Sequence, residues 1–359
     1  MKKATLLTAL ALCPGIGNKT LLGILEQFSD PHEAWQASPA ACKALGWSDK
    51  QVEAFVLHRK KVSLEKIQED LAKANIKLFT IYDEDYPMLL KEIPNPPTLL
   101  YVRGSIPQSE LAIAMVGTRH PTPYGKVIAE KLAEDLAGYN INVVSGMARG
   151  IDSCAHRGAL MKGETVAVLG CGVDVVYPRE NAALMEEIIN HGAIVSEFPP
   201  GTNPEPGFFP ARNRIISGLS KGVLVVEAAK KSGSLITADF ALEQGRDVFA
   251  VPGPVTSKNS AGCHYLIKNG AKLTAEVQDI LEEYGYMPMI NEMHDRSLND
   301  KEKAILINLS YEPKHFEELL SKTGLHIGAL SKILLQLELK NEIKQLPGQY
   351  YVIDKYYTR

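Results

Sequence analysis

Phe208-Phe209-Pro210-Ala211-Arg212-Asn213-Arg214-Ile215-Ile216-Ser217-Gly218 leads into Val223-Leu224-Val225-Val226. Between a Pro/Gly-rich loop (198–207) and that apolar run, the stretch reads as a short helix feeding a buried strand. Pro210 suits a first helical position, and Ile215, Ile216 and Leu219 give one apolar face. The first turn is anomalous. Arg212 and Arg214 stack positive charge on the positive end of a helix dipole, which costs about 0.3–1 kcal/mol each unless an anion is near. Two readings are open at this point: an anion site, usually for phosphate, or ion pairs with carboxylates such as Glu197 or Glu227.

Outward from this unit the pattern repeats. Ala112–Val116, Ile141–Val144, Val166–Leu169, Ala193–Val195, Val223–Val226 and Val248–Val251 are short apolar runs, mostly separated by helical segments. Such strands predict a mainly parallel, doubly wound α/β sheet, preceded by strands at 76–81 and 99–102. In that fold ligands bind beyond the carboxyl ends of the strands. Gly117-Thr118-Arg119, Ser145 to Asp152, Gly170 to Asp174 with Tyr177-Pro178-Arg179, Arg212-Asn213-Arg214 and Lys230-Lys231-Ser232-Gly233-Ser234 all follow strands. Small residues let backbone N–H groups approach a ligand, and each of these five loops carries a cation. Acidic residues fall mainly within the helices, so one sheet edge is expected to be basic and several loops to share one anion groove.

The 359 residues allow two or three domains, and 45% hydrophobic with 23% charged residues suits a globular chain. A net charge of −3 gives no bulk attraction to nucleic acid, so such a site must be local. Five widely spaced cysteines without a C-x-x-C argue for reduced thiols in the cytoplasm, against a disulfide scaffold and against a metal site. Met1-Lys2-Lys3 and the apolar run to Leu12 have the outline of a signal peptide. Leu12 before Cys13 is not small, and the run passes straight into Pro14-Gly15-Ile16-Gly17, so an ordinary helix is expected. No other run is long enough for a membrane span.

Residues 1–75 read as helical. Helix, Pro-Gly-Ile-Gly turn and helix form a helix-hairpin-helix pattern, with a degenerate copy around 44–57, and either can be a phosphate grip or plain packing. After the α/β region at 76–283, a polar stretch at 284–300 reads as a linker. Residues 301–359 give three helical segments and a hairpin, the outline of a winged helix. Its third helix carries few basic or amide side chains, which favours protein contact over base reading.

Gly117-Thr118-Arg119, Ser145-Gly146-x-Ala148-x-Gly150-Ile151-Asp152-x-x-Ala155-His156, Phe209-Pro210-x-Arg212-Asn213-Arg214-Ile215-Ile216, Gly233-Ser234-Leu235-Ile236-Thr237-Ala238 and Gln244-Gly245-Arg246-x-Val248-x-Ala250-x-Pro252-Gly253 stand in order over the α/β region. Together they resemble the DNA-processing protein A (DprA/Smf) family, and the flanking helical and winged-helix segments match that family's layout. The resemblance implies an extended Rossmann fold and single-stranded DNA binding without catalysis or cofactor. It also implies a homodimer and loading of the RecA recombinase during natural transformation. Carried onto this chain, it marks Gly117, Thr118, Arg119, Ser145, Gly146, Arg149, Tyr177, Arg179, Phe208, Arg212, Asn213, Arg214, Lys230, Gly233, Ser234 and Thr237 as DNA-binding, and Leu266 and Ile267 as a dimer contact. Phe209 and Tyr124 are further flat surfaces in the same loops, with core packing as the alternative. For Asp152 and His156, four apart on a helix, a structural hydrogen bond is expected.

A nucleotide-binding enzyme of the phosphoribohydrolase type is the competing reading. Those enzymes pair a glycine-rich turn with a nearby glutamate, whereas the nearest to Gly233-Ser234 along the helix is Glu243. A dinucleotide oxidoreductase fits less well, because Gly170-x-Gly172 lacks the third glycine and the acidic partner.

Overall fold

The computed structural model describes residues 3–28, 30–286, 300–309, 314–340 and 342–353. The chain divides into two compact units, 1–285 and 286–359. Most of the expected linker, 287–299, lies outside the described residues.

The first unit is built on nine strands: β1 (Lys77–Thr80), β2 (Leu99–Gly104), β3 (Ala112–Val116), β4 (Asn142–Ser145), β5 (Thr165–Val168), β6 (Gly192–Ser196), β7 (Gly222–Val225), β8 (Asp247–Ala250) and β9 (Lys272–Leu273). Their order is β1-β2-β6-β5-β4-β3-β7-β8-β9. From β6 to β9 all neighbours are parallel, in registers such as Ala114 beside Val144 and Val223. β2 lies antiparallel to β6, and β1 antiparallel to β2. Every residue of β3, β4, β5, β6 and β7 is buried, as a sheet covered on both faces requires. β9 is the strand that the pattern missed; two residues, Lys272 and Leu273, show no apolar run.

The period of two sorts side chains between two cores. Leu99, Tyr101, Ala167 and Leu169 face one, Leu100, Val102, Val166 and Val168 the other. The first core is continuous with Leu7, Leu10, Ile24 and Phe55 from the N-terminal helices α1 (Lys3–Ala11), α2 (Asn18–Gln27) and α5 (Asp49–Lys61). α2 is also tied to the sheet directly: Asn18 Oδ1 accepts the Thr98 N–H at 2.6 Å, and its Nδ2 donates to the Pro96 carbonyl at 2.8 Å. Among the described residues no helix is long and apolar enough to cross a membrane, and no cluster of His, Cys, Asp or Glu could hold a metal ion.

Strand order fixes where a ligand can sit. The chain runs β3, β4, β5, β6 to one side, then returns to β7 beside β3, so the switch point lies between β3 and β7. There the Thr118 N–H donates to the Glu227 carbonyl at 2.7 Å. α8 (Pro123–Gly138) and α9 (Ile151–Leu160) start from the loops after β3 and β4, and α11 (Phe208–Gly218) and α12 (Gly233–Glu243) run into and out of β7.

In the second unit, helices Asp300–Leu306, Phe316–Thr323 and Ile327–Leu339 precede the hairpin β11 (Ile343–Leu346) and β12 (Tyr350–Ile353), with β10 (Lys314–His315) paired to β12. Ile305, Leu319, Leu330, Leu334, Leu337 and Ile343 form its core. Its third helix exposes Ile327 and Leu335, in keeping with the sparsely basic face read from the sequence.

Candidate nucleic-acid interface

Beyond the carboxyl ends of β3, β4 and β5 lies a cavity of about 160 Å³, walled by Arg119, Arg149, Arg212, Tyr177, Phe209 and the Gly146 and Gly170 turns. Three elements supply its cations. Arg119, exposed on the turn after β3, holds its guanidinium carbon 5.7 Å from the Phe209 ring centroid. Arg149, exposed in the loop after β4, forms an ion pair with Glu180 through Nε. α11 starts at Phe208, two residues before the expected Pro210, so Arg212 is its fifth residue and lies in the second turn, past the N–H groups of the helix start. Tyr177 packs 5.5 Å from Phe209 at a 33° tilt.

Arg212 is only 5% exposed. Its Nη1 donates to the Gly146 carbonyl at 2.6 Å and to the Val168 carbonyl, and its Nε to Asn213 Oδ1 at 3.1 Å. One buried guanidinium thus ties the loops after β4 and β5 to α11. Burial lowers its pKa, and the same desolvation raises that of Asp152, with Arg212 opposing the rise. Arg212 is therefore first a strut and second a wall of the cavity, a qualification of its expected role as a free phosphate contact.

Of the other predicted residues, Gly146, Arg119, Arg149 and Tyr177 line the cavity and the rest do not. Gly117 and Thr118 form the turn under Arg119, where Thr118 Oγ1 accepts the His120 N–H at 3.2 Å. Arg179 and Lys230 are exposed outside the cavity, and Asn213 reaches the Gly233 carbonyl at 3.5 Å. Several need correction. Arg214 is buried and paired with Glu197 at 2.6 Å, so its charge is met inside the protein, as the ion-pair reading of the first turn allowed. Burial raises the Glu197 pKa, and Arg214 pulls it back. The Ser145 hydroxyl is buried and donates to the Met115 carbonyl at 2.6 Å. Ser234 and Thr237 are buried on α12, Ser234 sharing a 2.7 Å hydrogen bond with Ser232. Phe208 stacks on Phe198 at 4.3 Å, so Phe209 is the cavity's ring from this pair. Leu266 is buried in the chain's own core and Ile267 packs against it; the exposed large hydrophobic side chain of that helix, α13 (Ala261–Lys268), is Tyr265.

His156 does not meet Asp152. Its Nδ1 is 2.7 Å from Thr165 Oγ1, and burial holds its pKa down at about 3. Glu227 is likewise occupied: it accepts the Thr122 hydroxyl at 2.6 Å and the Thr122 N–H at 2.9 Å, at the N-terminus of α8. Lining residues outside the set marked from the sequence are His120, Ala148, Leu169, Gly170, Cys171 and Pro178. His120 was within reach, being the next residue after the Gly117-Thr118-Arg119 turn. Leu169 belonged to an apolar run, and the other four to loops singled out as wholes.

Residues 77–285 match the family model described as DNA recombination-mediator protein A, and 292–349 match the DprA winged helix domain. The chain belongs to the DNA recombination-mediator protein A family. Protein Smf of Synechocystis is 35% identical over 94% of this chain and 95% of its own. Among solved structures, DNA processing protein A (DprA) from Streptococcus pneumoniae is 36% identical with a TM-score of 0.69, over 79% of this chain and 99% of that one. The Helicobacter pylori DNA processing protein A, studied for its single-stranded DNA binding mode, is 32% identical with a TM-score of 0.53, over 58% and 95%. The extended Rossmann-like fold and the winged helix expected from the motifs are therefore those of the family.

Proposed function

We propose that this chain binds single-stranded DNA without reading its sequence. The observation that carries the reading is the cavity itself: Arg119, Arg149 and Arg212 converge with Tyr177 and Phe209 beyond the carboxyl ends of β3, β4 and β5. Cations track a phosphate backbone, and ring faces stack on any base, a combination that suits single strands. The family's Helicobacter pylori member supplies the same ligand class.

On the same footing, the chain works in the cytoplasm as a homodimer that protects incoming DNA and loads RecA during transformation. Three modules carry this: the helical layer at 1–75, the Rossmann-like body at 76–283 and the winged helix at 301–359. Tyr265 on α13 and Leu273 on β9, both exposed at one end of the sheet, replace Leu266 as the proposed dimer contact. The phosphoribohydrolase reading is not favoured. No carboxylate lines the cavity among the described residues, and Glu227 is engaged at α8.

Titrating a labelled single strand and the duplex of the same sequence tests the proposal. A preference for the single strand is expected, with Phe209→Ala losing about 1–3 kcal/mol of it. Equal binding of both forms, or an unchanged Phe209→Ala variant, would count against the proposal. Release of free base from nucleoside monophosphates would favour the enzyme instead.

A further inference from the structure

A second, more open cavity of about 600 Å³ adjoins the first, lined by Arg119, His120, Lys126, Glu130, Cys154 and Arg157 with Pro121 and Gly150. Arg119 and His120 wall both cavities, so the two meet across one turn. Their chemistry differs. The first combines guanidinium groups with Tyr177 and Phe209. The second has cations from the facing helices α8 and α9 and, His120 apart, no aromatic ring. Its one carboxylate, Glu130, is shared with Arg157 at 3.8 Å, while Lys126 is exposed and has no ion pair among the described residues. The groove therefore carries net positive charge with no flat surface on which a base could stack.

A polymer seated in the small cavity has to leave it. On the Tyr177 side the cation Arg149 is already engaged by Glu180, whereas on the Arg119 side the wall opens into this second groove. Resting on the single-strand reading above, we infer that the second groove is the exit track of the strand. Lys126 and Arg157 hold the phosphates of nucleotides beyond those in the cavity, while the bases point to solvent. Binding there is pure backbone contact, so it adds affinity by strand length and not by base identity. Glu130 tempers it by occupying Arg157.

The inference is tested with oligo(dT) of about 4 and about 16 nucleotides, lengths that bracket the usual range for one binding site, over a salt series. Lys126 is an exposed α8 residue, so Lys126→Ala keeps the helix. One lost phosphate contact lowers the salt slope by about 0.7, so over a tenfold rise in salt the variant's affinity for the long strand falls about fivefold less than the unaltered protein's. The short strand shows no such change. Glu130→Gln, which frees Arg157, tightens the long strand only, a gain that misfolding cannot produce. If both lengths respond alike to Lys126→Ala, or neither responds and Glu130→Gln is silent, the exit track is wrong although single-strand binding stands. If the unaltered protein binds neither length, both readings fall.

Discussion

Gly146→Ala strikes the joint between fold and site. A Cβ built on Gly146 would lie 2.3 Å from Arg212 Nη1, 2.6 Å from Cζ and 2.7 Å from Nη2, distances that real contacts do not reach. Elsewhere the end of an arginine would swing away cheaply. Here Nη1 is fixed in the interior by the Gly146 and Val168 carbonyls. Charge-assisted hydrogen bonds are worth about 1.5–3 kcal/mol each, so displacing the guanidinium forfeits up to about 3–6 kcal/mol. That is a large part of the roughly 5–15 kcal/mol that hold a typical fold. The assay is urea unfolding followed by tryptophan fluorescence, since both tryptophans, Trp35 and Trp47, belong to the unit that holds the cavity. A double-mutant cycle isolates the cause: in an Arg212→Ala background, Gly146→Ala should cost less than about 1 kcal/mol, because the clash has gone. Additive losses, or a Gly146→Ala protein as stable as the parent, would refute the strut.

Other predictions follow from the same geometry. Arg214→Met strands the buried Glu197 and should cost about 3–5 kcal/mol, with the salt dependence of DNA binding unchanged in the folded fraction. His156 is held neutral at about 3 against 6.5 for a free histidine, so the stability it contributes is present above pH 6.5 and lost as pH falls from there toward 3. The unfolded chain takes up one more proton in that window. The unfolding free energy of His156→Gln, measured by urea denaturation, should therefore be less acid-sensitive by about 1.4 kcal/mol per pH unit below 6.5. All five cysteines are buried, and burial raises the thiols of Cys13 and Cys171 to about 11 and Cys263 to about 12. A thiol reagent should label the native protein slowly and all five sites at once in denaturant.

The sheet was legible because buried parallel strands announce themselves as apolar runs between helices; Lys272-Leu273 was not, being too short and half polar to carry a period. Loops were legible as a set for a topological reason: whatever follows a parallel strand lies on one edge. Which side chain in a loop turns toward the cavity is decided by packing. Arg212 and Arg214 differ by two positions, which on a helix turns them to opposite sides, one to the Gly146 loop and the other to Glu197. Likewise Phe209 lines the cavity while Phe208 stacks on Phe198, a distinction no composition or spacing encodes. The family resemblance marked Ser145, the last residue of β4, and Ser234, in the first turn of α12, as ligand contacts; buried, their hydroxyls found internal partners first.

The central claim, a phosphate-gripping site for single strands, is tested most directly by measuring affinity for a single-stranded oligonucleotide across a salt series, with and without Arg119→Ala. If Arg119, Arg149, Arg179 and Lys230 each meet a phosphate, log affinity should fall with log salt at a slope of about −2.8, since each contact on a single strand contributes about −0.7. Arg119→Ala should reduce that slope by about 0.7. A slope near zero, or one that Arg119→Ala leaves unaltered, would contradict the account.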